Sequence, residues 1–215
     1  MSVDGNANAA RLESALVTAI RLSADQSQAA FRVLVETTAS PGKVVAFEPL
    51  GGHAVHPVLI PVVTLVDVNT TVAVIDDEDP AAVELTGRAL SRVTGARWTS
   101  EVSDAGVVLA MRGPDPRHLH TIRVGSPEVP EDGAKLFVAV QSIGSHGDGI
   151  AVTTRGPGAA SGRTFTVSGL SGETLQVLGR LTRRFPAGVD AWLVADDGAC
   201  VAIPRSNAIS LAEVA

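Results

Sequence analysis

The stretch 185–205, FPAGVDAWLVADDGACVAIPR, constrains the fold more than any other part of the chain. Residues 190–195 alternate and then run apolar, which suits a buried strand, and 200–203 is a second apolar run. Between them Asp196-Asp197-Gly198 signals a turn, because glycine reaches positive φ at low steric cost. Two apolar runs around a short Asp/Gly turn predict a β-hairpin. Pro186 cannot donate to a ladder and Gly188 bends freely, so the entry to the first strand is sharply shaped. Asp190 and Arg205 sit at the two ends, a carboxylate and a guanidinium beside dry surface. Such a hairpin is either a clasp that closes the fold or the rim of a site.

The rest of the pattern says what the hairpin belongs to. Leu12, Ala15, Leu16, Ala19 and Ile20 recur at helical spacing, as do Ala30, Phe31, Leu34 and Val35, with Ser23 or Asp25 as cap. Pro41-Gly42 stops that helix and 43–47 reads as a short strand. Residues 56–68 are apolar nearly all round and predict a buried helix with Asp67 at its far end. A strand follows over 70–75, then an acidic turn at 76–79, and Pro80 opens a helix over 81–93. Strands are expected at 107–111, 135–143, 150–154 and 163–167, with a flexible tip at 144–149 and a loop at 155–162. Ser171 caps a helix over 173–181. Residues 1–9 are small and polar and are expected to be a disordered tail, leaving 10–215 as one domain. Helices alternating with strands, then a strand-rich second half, predict an α/β single domain with a mixed β-sheet flanked by helices. A length of 215 residues, 45% hydrophobic, is enough to bury one such core.

The charge excludes some partners. A net charge of −6 argues against nucleic acid or an anionic membrane surface. The longest apolar run, 57–66, is broken by Pro61 and Thr64 and is far short of a membrane span of about 20 residues. No basic region followed by an apolar one opens the chain, so a cytoplasmic location is expected. The lone cysteine, Cys200, lies in an apolar strand and reads as a small buried hydrophobe.

Catalytic signatures are missing: no Walker loop, no GxSxG and no HExxH. Gly156-Pro157-Gly158 reads as a turn. His118 and His120 have no acidic or thiol ligand at metal spacing and read as surface residues. His53 and His56 bracket a loop, where one could act as a base, and His146 sits in the 144–149 tip. Lys43 and Lys135, the two lysines, each start a strand and read as solvated. Four charged residues adjoin apolar runs: Arg32, Asp67, Asp190 and Arg205. They form either an anion site or internal pairs that lock the fold, since charges near dry surface persist when paired. We therefore expect no catalytic residue, metal ligand or cofactor-binding residue of the chain's own.

An ordered set of motifs carries a resemblance. Phe31-Arg32 with Leu34 precedes Pro41-Gly42; Val63-Thr64-Leu65 precedes Asp67 and Thr70. Gly125, Pro130 and Gly133-Ala134 follow, and then Phe185-Pro186, Gly188-Val189-Asp190 and Ile203-Pro204-Arg205. In this order they resemble the H subunit family of the bacterial carbon–phosphorus lyase core complex of phosphonate degradation. The resemblance implies a fold similar to the pyridoxal-phosphate-dependent transferases but without the cofactor site. It implies a homodimer that joins the G, I, J and K proteins. It implies a required accessory subunit, without independent activity, of the transferase that couples a phosphonate to ribose C1 of ATP. That step releases adenine and gives ribose 1-phosphonate 5-triphosphate, and the J subunit later breaks the carbon–phosphorus bond as the lyase. Two alternatives stay open: a stand-alone anion-binding domain, or a pyridoxal-phosphate-fold enzyme using Lys43 or Lys135. On the resemblance, Asp190 and Arg205 are expected to hold the end of the fold, at or near a subunit surface.

Overall fold

The computed structural model describes residues 3–48, 55–145 and 148–211, with side chains from residue 8 onward. Two helices come first, α1 (Val3–Ala19) and α2 (Ala24–Ala39). Ser23 caps α2 reciprocally: its hydroxyl accepts from the Gln26 N–H while the Gln26 side chain accepts from the Ser23 N–H. A two-residue strand β1 (Val45–Ala46) and a short helix α3 (Leu59–Leu65) lead to β2 (Thr71–Ile75), α4 (Pro80–Thr94), β3 (Arg97–Trp98) and β4 (Val107–Ala110). Then come α5 (Pro116–Leu119), β5 (Lys135–Val140), β6 (Ser142–Gly144), β7 (Ile150–Gly156) and β8 (Ala159–Ser168). The chain continues through α6 (Gly172–Thr182), β9 (Asp190–Ala195), β10 (Ala199–Ile203) and β11 (Ala208–Leu211).

Seven strands make one mixed sheet in the order β1-β10-β9-β5-β4-β2-β3. The five from β9 to β3 run parallel, and β10 and β1 pair antiparallel. Parallel strands buried on both faces must be apolar at successive positions, which is why 190–195 and 107–110 read as runs. Alternate residues supply two cores. Val72, Val74, Leu109, Phe137 and Trp192 face α2, α3 and α4, with the Phe137 and Trp192 rings stacked 5.0 Å apart. Ile75, Val108, Leu136, Val138 and Leu193 face α5, α6 and a second sheet. That second sheet is antiparallel, in the order β11-β7-β8-β6.

The α/β fold with a mixed, helix-flanked sheet is as expected, but several details differ. The four-stranded second sheet was not anticipated. The expected 155–162 loop is largely strand, and Gly156-Pro157-Gly158 is only the tip joining β7 to β8. Gly158 is required there: its φ is positive, and a Cβ would lie 2.4 Å from the Ala39 carbonyl oxygen.

 That φ, 75°, lies in the left-handed region that a side chain disfavours. The expected strand 135–143 is two strands, β5 and β6, which belong to different sheets. The helix expected over 56–68 is confined to α3, because Val66 turns extended and Asp67 closes its own turn. Residues 3–9 fall within the first turns of α1, which packs on α4. His53, and His146 of the expected 144–149 tip, lie outside the described residues.

Candidate functional site

Parallel strands deliver the residues that follow them to one edge of a sheet. β2 leads outward through α4 to β3, whereas β4 lies on the other side of β2 and leads on toward β5. Connections thus diverge at β2 and β4, and a crevice opens beyond their carboxyl ends, where α/β sheets commonly bind ligands. The first polar residues after four apolar strands collect here: Asp76 after β2, Arg112 after β4, Gln141 after β5 and Asp196 after β9. The crevice has a volume of about 500 Å³; Arg112, Glu78, Gln141, His56 and Asp196 supply its polar wall, and Met111, Ala139 and Val140 its apolar surface.

Its electrostatics are specific. The Asp76 side chain is 1% exposed. Its Oδ1 accepts from the N–H groups of Glu78 and Asp79, at 3.1 and 3.0 Å, which fixes the turn into α4. Its Oδ2 is buried without a hydrogen-bond partner among the described residues. Arg112 Nε stands 3.8 Å from that oxygen and Arg112 Nη1 3.6 Å from Glu78, too far for direct hydrogen bonds. The guanidinium is 54% exposed and retains donors for a ligand. On the opposite wall His56 Nε2 lies 2.9 Å from Asp196 Oδ1, while His56 Nδ1 accepts from the Val58 N–H at 3.0 Å. This fixes the neutral tautomer with its proton on Nε2. Burial pushes the His56 pKa down, and the Asp196 carboxylate and the Val140 backbone oppose that shift. Beside the crevice, Asp77 accepts from the Asp115 N–H at 2.6 Å and lies 2.9 Å from His118 Nδ1. The Arg117 side chain holds the Asp115 pKa down at about 2.

The expected site residues separate. Asp190 and Arg205 meet at the other end of the β9–β10 hairpin. Arg205 donates to Asp190 Oδ2 through Nε at 3.0 Å and Nη2 at 2.8 Å, and its backbone N–H donates to Oδ1 at 2.9 Å. Arg205 Nη1 also donates to the Pro130 carbonyl, tying the hairpin to the segment before β5. Arg32 lies exposed on α2, beside a groove shared with Phe47 and Glu48. Asp67 is exposed and accepts from the Asn69 N–H and the Thr70 hydroxyl, which lower its pKa, the hydroxyl most. Neither joins the crevice. Both lysines also lie elsewhere: Lys43 pairs with Glu36 on the surface, and Lys135 opens β5, at the end opposite the crevice. Cys200 is buried, which pushes its thiol pKa up.

Sequence reasoning passed over Asp76, Arg112, Gln141 and Asp196. Each is the first or second residue after an apolar run, and that position was the available signal. Among the described residues, no group of three or more His, Cys, Asp or Glu side chains could hold a metal ion, and no helix is long and apolar enough to cross a membrane.

No curated protein matches the chain. Residues 18–210 match the family described as bacterial phosphonate metabolism protein (PhnH), a span that takes in both sheets, the crevice and the Asp190–Arg205 pair. The chain therefore belongs to the PhnH family of bacterial phosphonate metabolism proteins.

Proposed function

We propose that the chain serves phosphonate degradation as an accessory subunit of the carbon–phosphorus lyase complex. In this reading it supports the transfer of a phosphonate to ribose C1 of ATP, with release of adenine and formation of ribose 1-phosphonate 5-triphosphate. The family match over 18–210 is the observation that carries it. The subunit acts as a homodimer beside the G, I, J and K proteins. Its likeness to the pyridoxal-phosphate-dependent transferases is part of the same reading, supported by a seven-stranded sheet that is parallel apart from β10 and β1.

The crevice supports a contribution to substrate handling. Arg112 offers planar, charged donors suited to the oxygens of a phosphonate or phosphate group. His56 and Asp196 form a preset polar wall facing it across the apolar surface of Met111 and Val140. Arg112 can hold an anion for a partner's chemistry, while the His56–Asp196 wall, carrying a carboxylate, can orient hydroxyl donors of the same substrate. Two assays test the reading. Deletion of the gene should abolish growth on a phosphonate as the only phosphorus source, and the tagged chain should co-purify with the other subunits. Undiminished growth without the gene, or no co-purification in mild salt, would sink it.

A further inference from the structure

α6 and β11 line a second groove of about 480 Å³. Gly179 lets the two elements approach closely: a Cβ there would lie 2.9 Å from Ile209 Cγ1. Ile209 and Leu211 give the groove an apolar side. Arg180, Arg183 and Arg184 give it a basic one, and none of the three makes an ion pair among the described residues. One cation at a helix C-terminus complements the dipole, but three around a groove repel each other and leave a local excess of positive charge on a chain of net charge −6. Alongside them β11 is an edge strand, paired only with β7. Its sequence, Ala208-Ile209-Ser210-Leu211, carries no charge, proline or bulge of the kind that protects an exposed edge. Phe185, 72% exposed, follows the arginines directly.

We infer that β11 and the α6 arginines form a docking surface for an extended, acidic segment of another subunit, which adds as a strand along β11. The inference rests on the assembly reading above. Backbone pairing along the edge would supply affinity, and the arginines would select acidic side chains at the groove. A second copy of this chain is a poorer match. Its acidic run, 76–79, is a turn fixed by the Glu78 and Asp79 N–H groups on Asp76 and by the Asp77–His118 contact, not an extended segment.

The test uses the full chain, tagged and co-expressed with the other subunits of the complex. Wild type should co-purify, and amide exchange at 208–211 should slow at least about tenfold in the complex relative to the free chain. A variant carrying R180E, R183E and R184E should lose at least about tenfold in recovered partner at an unchanged melting temperature, while R11E on α1 should assemble normally. Normal assembly by the triple variant, or exchange protection that spares 208–211, overturns the docking surface but leaves the assembly reading intact. Wild type that recovers no partner overturns both. Should the triple variant not fold, the wild-type exchange pattern decides alone. Concentration-dependent protection of β11 in the isolated chain would assign the edge to a second copy and overturn the inference.

Discussion

The two ends of the β9–β10 hairpin carry similar residues in different physical settings. At one end Asp190 and Arg205 are fully engaged with each other and with the chain: three hydrogen bonds join them and a fourth reaches Pro130. Their side chains are 25% and 15% exposed, so little capacity remains for a ligand. At the other end Asp196 pairs with His56 at 2.9 Å on one wall of a crevice, and on the opposite wall Arg112 stands 3.6 Å or more from the carboxylates of Asp76 and Glu78. Satisfied charges lock a fold, whereas charges left under-satisfied at the end of a parallel sheet are available for binding. In the function proposed, one hairpin is thus a clasp at one end and a rim at the other.

Substitutions should separate the two. Asp190→Ala removes one partner of a half-buried pair and leaves Arg205 uncompensated, so unfolding in urea should show a loss of about 3 kcal/mol. A loss below about 0.5 kcal/mol would show that the clasp does not lock the fold. Gly133→Ala tests the same end by packing. A Cβ there would fall 2.3 Å from the Gly188 carbonyl oxygen and 3.0 Å from Arg205 Nη1, and the forced shift should cost about 2 kcal/mol by the same measurement.

The crevice end should respond to pH. Burial keeps the folded pKa of His56 below its ordinary 6.5, so the unfolded chain takes up that proton first as pH falls. The His56 contribution to stability is therefore full above pH 6.5, is lost as pH drops below it, and levels off beneath the folded pKa. His56→Gln should flatten this part of the stability profile and cost about 1 kcal/mol at pH 8 through the lost contact with Asp196. An unchanged slope below pH 6.5 would remove His56 as its source. Smallest of all in stability, Arg112→Gln should change unfolding by less than about 0.5 kcal/mol, because a largely exposed guanidinium in loose pairs contributes little.

Much of this was legible in the chain. The Asp196-Asp197-Gly198 turn, the Ser171 cap and the Pro80 helix start are local signals, and each stands where the sequence put it. The Asp190–Arg205 pair was legible as opposite charges flanking two strands that had to pair. The crevice was not, because its residues come from four strands far apart in sequence. Apolar runs at 71–75, 107–110, 135–140 and 190–195 are visible one by one. Their common direction, which brings Asp76, Arg112, Gln141 and Asp196 to one edge, is a property of the sheet alone. The second sheet escaped for a related reason. Its β8 mixes Ser, Gly, Arg and Thr with Phe165 and Val167, since only part of it faces the core.

The most direct test of the division between clasp and rim is growth on a phosphonate as the only phosphorus source, with Arg112→Gln as the sole copy of the gene. The account predicts a protein that folds and assembles as wild type yet fails to support growth. Wild-type growth would contradict it, and would return the crevice to the status of an ordinary surface feature.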